Sequence, residues 1–74
     1  MVTFNISLKS TNDVKNFVNL MCKYNFDIDL TSGRYVVDAK SIMGIFSLDL
    51  SKPVKLEAHT DDESIKEDMK DFII

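Results

Sequence analysis

Apolar and polar residues alternate at the start of the chain: Val2, Phe4, Ile6 and Leu8 fall on one side, Thr3, Asn5 and Ser7 on the other. A period of two predicts a half-buried strand over 2–8. The polar stretch Lys9-Ser10-Thr11-Asn12-Asp13 is suited to capping a helix, and Val14, Phe17, Val18, Met21 and Tyr24 then recur at helical spacing. The pattern predicts a helix over 13–24. Alternation returns with Phe26, Ile28 and Leu30 against Asp27 and Asp29, a second strand. Thr31-Ser32-Gly33-Arg34 supplies a turn and Tyr35-Val36-Val37 a third strand, so the two strands form a hairpin.

Ser41 opens a short apolar helix running from Ile42 to Leu48. Asp49 to Pro53 is a connector, and Pro53, which cannot donate to a sheet ladder, marks the start of the next strand. In that fourth strand Val54, Leu56 and Ala58 alternate with Lys55, Glu57 and His59. The final segment, DDESIKEDMKDFII, carries an apolar stripe of Ile65, Met69, Phe72 and Ile73. Asp61, Asp62 and Glu63 load its first turn with the negative charge that a helix start favours. The order is β-α-β-β-α-β-α. Four strands, each apolar on one side, need one cover, and three amphipathic helices supply it. The fold class is therefore α+β: a two-layer, open-faced β-sandwich with an antiparallel sheet, three helices on one face and water on the other.

Composition narrows the class. With 74 residues the expectation is one domain over 1–74. A hydrophobic share of 45% and a charged share of 28% are those of a soluble globular protein. No apolar run approaches the ~20 residues of a membrane span. The N-terminus lacks the basic start and apolar core of a signal peptide. One cysteine makes no internal disulfide. These features point to a cytoplasmic protein without a membrane partner. A net charge of -3 with no basic patch argues against nucleic acid.

Residues 38–50 carry a resemblance. Lys40-Ser41-Ile42-Met43-Gly44-Ile45-Phe46-Ser47-Leu48 is similar to the second-helix segment of the HPr family, the phosphocarriers of the bacterial sugar phosphotransferase system. The spacing back to Lys23-Tyr24 and the element order also match. The resemblance implies a sheet order of 1-4-2-3. It also implies an active histidine before the first helix, in a Gly-Ile-His-Ala-Arg-Pro-Ala motif. Here the corresponding loop runs from Leu8 to Asp13 and contains no histidine; the single histidine, His59, lies on the fourth strand. Ser10, Thr11 and Asn12 therefore read as a degenerate active-site loop. Serine and threonine phosphates are stable esters, unlike a labile phosphohistidine. The loop also lacks the family's arginine to clamp a phosphate, and Asp13 would repel one.

By the same resemblance, Ser41 is the position that a dedicated HPr kinase phosphorylates in Gram-positive relatives, creating a form bound by a catabolite-control regulator. A helix-capping serine sits among unpaired backbone N–H groups, and phosphate there adds about -1.5 to -2 charges. Lys40, Ile42, Met43 and Phe46 beside it form a candidate partner surface, Met adaptable in shape and Phe an anchor. The plainer reading makes Ser41 a cap worth ~1 kcal/mol, with Met43 and Phe46 buried on the sheet.

The remaining candidates read as structural. His59 is expected on the solvent side of its strand, with no metal site. Cys22 is expected to be a packed or half-buried thiol, having neither a CxxC partner nor a strongly basic setting. Asp61, Asp62, Glu63, Glu67 and Asp68 form a solvated face relieved by Glu63–Lys66 and Glu67–Lys70 pairs. No nucleophile–base pair, metal cluster or cofactor motif is present, so the expectation is a non-enzyme without a cofactor. The functional expectation is a regulatory or interaction module linked to the phosphotransferase system or carbon catabolite control, with Ser41 as its switch. The alternative is a phosphocarrier with an altered acceptor.

Overall fold

The computed structural model describes residues 1–74. Its elements are β1 (Val2–Ile6), α1 (Thr11–Met21), β2 (Ile28–Ser32), β3 (Tyr35–Asp38), α2 (Ile42–Phe46), β4 (Val54–Ala58) and α3 (Ile65–Asp68). The strands form one sheet in the order β1-β4-β2-β3, with every neighbouring pair antiparallel. Three helices cover one face. The other face presents Thr3, Asn5, Asp29, Thr31, Lys55 and Glu57, so period-two alternation carries directly into inside and outside.

The core is wholly apolar. All sixteen buried residues are hydrophobic, with Ile6, Phe17, Met21, Leu30, Ile45, Leu56 and Met69 fully enclosed. Full burial of such side chains contributes about 1.5–3 kcal/mol each. Val14, Phe17 and Met21 form the buried stripe of α1.

Several boundaries differ from the sequence pattern. Helix α1 begins at Thr11 because Ser10 caps it, its hydroxyl accepting from the Asp13 N–H at 3.1 Å. The helix ends at Met21, so Tyr24 lies beyond it and stacks on Phe26 with ring centroids 5.1 Å apart. That stacking leaves Phe26 outside the sheet, and β2 starts at Ile28 instead. Thr31 and Ser32 pair with Val36 and Tyr35, so the hairpin closes over only Gly33 and Arg34. Gly33 has φ 58° while Arg34 has a negative φ, the combination that places glycine first in a II′ turn. Helix α2 stops at Phe46, two residues short of Leu48.

Cys22 is exposed, against the expectation of a packed thiol. It sits at the C-cap of α1, one residue past Met21, and its side chain points away from the core stripe. The final stripe also diverges. Only four residues are helical, Ile65 and Met69 are buried, and the chain then leaves the helix so that Ile73 bridges Ile6. Ser7 N–H donates to the Phe72 carbonyl at 2.8 Å and Ile74 N–H to the Asn5 carbonyl at 3.4 Å. The C-terminal residues therefore line the outer edge of β1, and the Phe72 ring meets Phe17 edge-on, 5.5 Å between centroids.

Candidate functional site

A cleft of about 390 Å³ opens where α1 begins and α2 ends, lined by Leu8, Lys9, Ser10, Thr11, Val14, Phe46, Leu50 and Ser51. Its polar wall is the loop before α1. Ser10 holds the Asp13 N–H, and the Asp13 carboxylate returns to accept the Lys9 N–H at 3.0 Å. This reciprocal arrangement ties residues 9–13 into one fixed turn. It also sets a negative charge beside the Ser10 hydroxyl, which disfavours a second anion there. The apolar wall is Phe46, 45% exposed, with Leu50. At its rim Asp49 accepts both the N–H and the hydroxyl of Ser51, and these bonds hold its carboxyl below the usual carboxylate range.

Ser41 stands at the other end of α2. It is exposed, and its hydroxyl caps the helix by accepting the Gly44 N–H at 3.2 Å. Met43 is 77% exposed, so the apolar surface of α2 faces outward and the buried alternative for Met43 and Phe46 does not hold. Ile45 is the one fully buried residue of α2, and half-buried Ile42 packs against the same core. The Lys40 ammonium donates to the Tyr24 carbonyl at 2.9 Å, linking the entry to α2 with the chain just past α1. Tyr24 in turn donates its hydroxyl to Asp68 at 2.6 Å. Burial, then the hydrogen bond and charge of Asp68, then the charge of Asp62 push the Tyr24 phenol well above its ordinary range.

The structure thus divides the residues singled out from sequence. Ser10, Thr11 and Phe46 share the cleft, Asn12 is exposed beside it, and Ser41, Lys40 and Met43 belong to the far end of α2. Leu50 and Ser51 complete the cleft from the connector; nothing in their local pattern marked them, since only the tertiary fold brings them against Leu8 and Val14. His59 follows β4 at the end where Ala58 pairs with Val2, whereas α1 starts beyond the end where Val54 pairs with Ile6. It therefore lies at the opposite end of the sheet from Ser10, where its Nε2 meets Asp29 Oδ2 at 3.1 Å. No group of three or more His, Cys, Asp or Glu side chains is placed to hold a metal ion. No helix is long and apolar enough to cross a membrane.

Comparison with known proteins gives a consistent picture. A family model described as the PTS HPr component phosphorylation site matches residues 11–73. The crystal structure of HPr-C-His from Thermoanaerobacter tengcongensis is similar at a TM-score of 0.77 and 35% identity, over 93% of this chain and 90% of that one. The phosphocarrier protein HPr from Bacillus anthracis str. Ames is similar in fold, with a TM-score of 0.75 and 22% identity over 99% of this chain and 96% of that one. No curated protein matches the chain at a significant level.

Proposed function

Because the chain belongs to the HPr family of phosphotransferase-system components, we propose that it serves the phosphoenolpyruvate-dependent sugar phosphotransferase system by docking protein partners where α1 begins and α2 ends. HPr-family proteins are phosphocarriers, not catalytic enzymes. The observation that carries the reading is the shared cleft, lined together by Ser10, Thr11 and the exposed Phe46. We read residues 1–74 as one HPr-like domain, cytoplasmic, with protein partners and neither nucleic acid nor membrane, and needing no cofactor.

The likeness to HPr phosphocarriers supports a carrier whose acceptor differs. With no histidine among residues 8–13, the cleft offers the Ser10 or Thr11 hydroxyl in its place. Loading Ser10 would take its oxygen from the Asp13 N–H and set phosphate beside the Asp13 carboxylate, so transfer would be slow and the ester stable.

A second reading is favoured by Ser41. In it the protein has given up phosphorelay and regulates sugar transport or carbon catabolite control. Phosphorylation of Ser41 by an HPr kinase would create the form that a catabolite-control regulator binds. An exposed, capping hydroxyl beside exposed Met43 suits that role, since phosphate would change the charge at one end of the otherwise apolar outer surface of α2.

One experiment separates the two. The protein is incubated with the system's first enzyme and phosphoenolpyruvate, or with HPr kinase and ATP, and the phosphate is mapped by mass spectrometry. Modification at residues 10–11 with phosphoenolpyruvate supports the carrier, modification of Ser41 with ATP supports the switch, and no modification under either condition rejects both.

A further inference from the structure

The sheet has two edge strands, and only one is covered. The outer side of β1 is lined by Phe72 to Ile74, while nothing pairs with the outer side of β3. Free strand edges template further pairing, and proteins usually blunt them with charge, proline or a covering segment. Here β3 reads Tyr35-Val36-Val37-Asp38, with Tyr35 71% and Val36 62% exposed.

The register fixes which peptide groups face outward. Tyr35 pairs with Ser32 and Val37 with Leu30, and the Ala39 N–H donates to the Ile28 carbonyl at 2.9 Å. Residues 35, 37 and 39 therefore turn their peptide groups toward β2. In an antiparallel ladder the alternate residues, Val36 and Asp38, turn theirs outward. The Asp38 carbonyl already accepts the Ser41 N–H at 3.0 Å, which leaves Val36 as the residue with both groups unengaged at this edge.

We propose that β3 pairs antiparallel with β3 of a second copy of this chain, about a two-fold axis at Val36, giving a continuous eight-stranded sheet. The occupant is argued from self-complementarity. With Val36 opposite Val36 of the second copy, both outward peptide groups of each valine exchange hydrogen bonds. The same register sets Tyr35 against Val37 of the second copy, an aromatic beside a β-branched residue, on the helix side. It also brings Arg34, the second turn residue, against Asp38 of the second copy, twice over by symmetry. Arg34 is the chain's single arginine, and neither it nor Asp38 takes part in any ion pair within the molecule. Shifting the axis to Tyr35 or Val37 breaks the arginine–aspartate match. Opposite charges and aromatic–β-branched pairs placed directly across two strands stabilise them, and like charges there repel.

Sedimentation velocity over a concentration series up to about 1 mM tests the pairing, given the millimolar affinities of weak contacts. The average mass is expected to rise from 8.5 kDa toward twice that value. Val36→Lys sets two ammonium groups at the axis and should remain at 8.5 kDa throughout; the site is exposed, so folding is spared. Arg34→Asp should weaken association about tenfold, and adding Asp38→Arg should restore it. A wild-type chain that stays monomeric, or a Val36→Lys chain that associates like wild type, overturns the proposal. A double variant that is folded by circular dichroism yet fails to recover association overturns the register.

Discussion

Gly44 and Ser41 are locked together at the start of α2: the Gly44 N–H donates to the Ser41 hydroxyl at 3.2 Å, and a methyl group on Gly44 would stand 3.3 Å from that oxygen. The same methyl would lie 3.2 Å from Val37 Cβ. Neither neighbour is the loose end of a long side chain, because one belongs to a paired strand and the other is fixed by the cap. Alanine gains ~1 kcal/mol in helix propensity, but overpacking costs typically about 1–3 kcal/mol. Gly44→Ala is therefore expected to lower stability by about 1 kcal/mol net, read as a lower urea midpoint with an unchanged slope.

Phe72 joins the C-terminal segment to the core through its edge-on contact with Phe17. Phe72→Ala removes that contact and weakens the hold of residues 72–74 on β1. A fully buried phenylalanine loses about 3–5 kcal/mol on truncation, and a half-buried one should lose about 2–3 kcal/mol. Hydrogen exchange at the Ser7 N–H, which donates to the Phe72 carbonyl, should accelerate in the variant.

The Tyr24 phenol is held protonated by burial and by the Asp68 carboxylate it donates to. Its folded pKa is raised, so the unfolded chain releases the proton first. The stabilisation is whole below about pH 10 and is lost as the pH climbs past that value. Thermal melts of the wild type should fall above pH 10, beyond the fall seen for Tyr24→Phe, and the variant should be the less stable of the two at neutral pH.

The opposite sign applies at Asp49, whose carboxyl is held low by the Ser51 hydroxyl and then by the Ser51 N–H. Its contribution is present above the ordinary carboxylate pKa of about 3.9 and is lost as the pH falls through the lower folded value. A carbon-13 titration of the Asp49 carboxyl should show a midpoint below the ordinary range. In Ser51→Ala that midpoint should move up while remaining below it, since the N–H donor survives.

Fold class and element order were legible because β1, β2 and β4 alternate and α1 carries one apolar stripe, while β3 was placed by the turn before it; Val2, Ile6, Val14, Phe17, Leu30 and Leu56 are buried as their spacing required. Sheet order came from the resemblance of residues 40–48, not from any periodicity. Boundaries failed where a tertiary contact outweighed the local pattern. Tyr24 and Phe26 fit the helix and strand patterns, yet their rings stack with one another in the intervening turn. Ile73 belongs to a helical stripe by spacing but lies along β1. The site was half legible. Ser10, Thr11 and Phe46 were marked by residue type and position, whereas Leu50 and Ser51 reach the cleft only through the path of the connector. Cys22 is exposed although it directly follows buried Met21, because one residue step turns the side chain by about 100° around the axis and α1 ends there.

The strip of chain from Phe72 to Ile74 has a bearing on how many copies can gather. A molecule with a single bare flank meets its twin, closes the pair and stops. Were the last three residues clipped off, both flanks would lie open, and each newcomer would leave another vacancy behind it. The tail then acts as a stop against growth, and its loss would be met as fibres as well as lower stability.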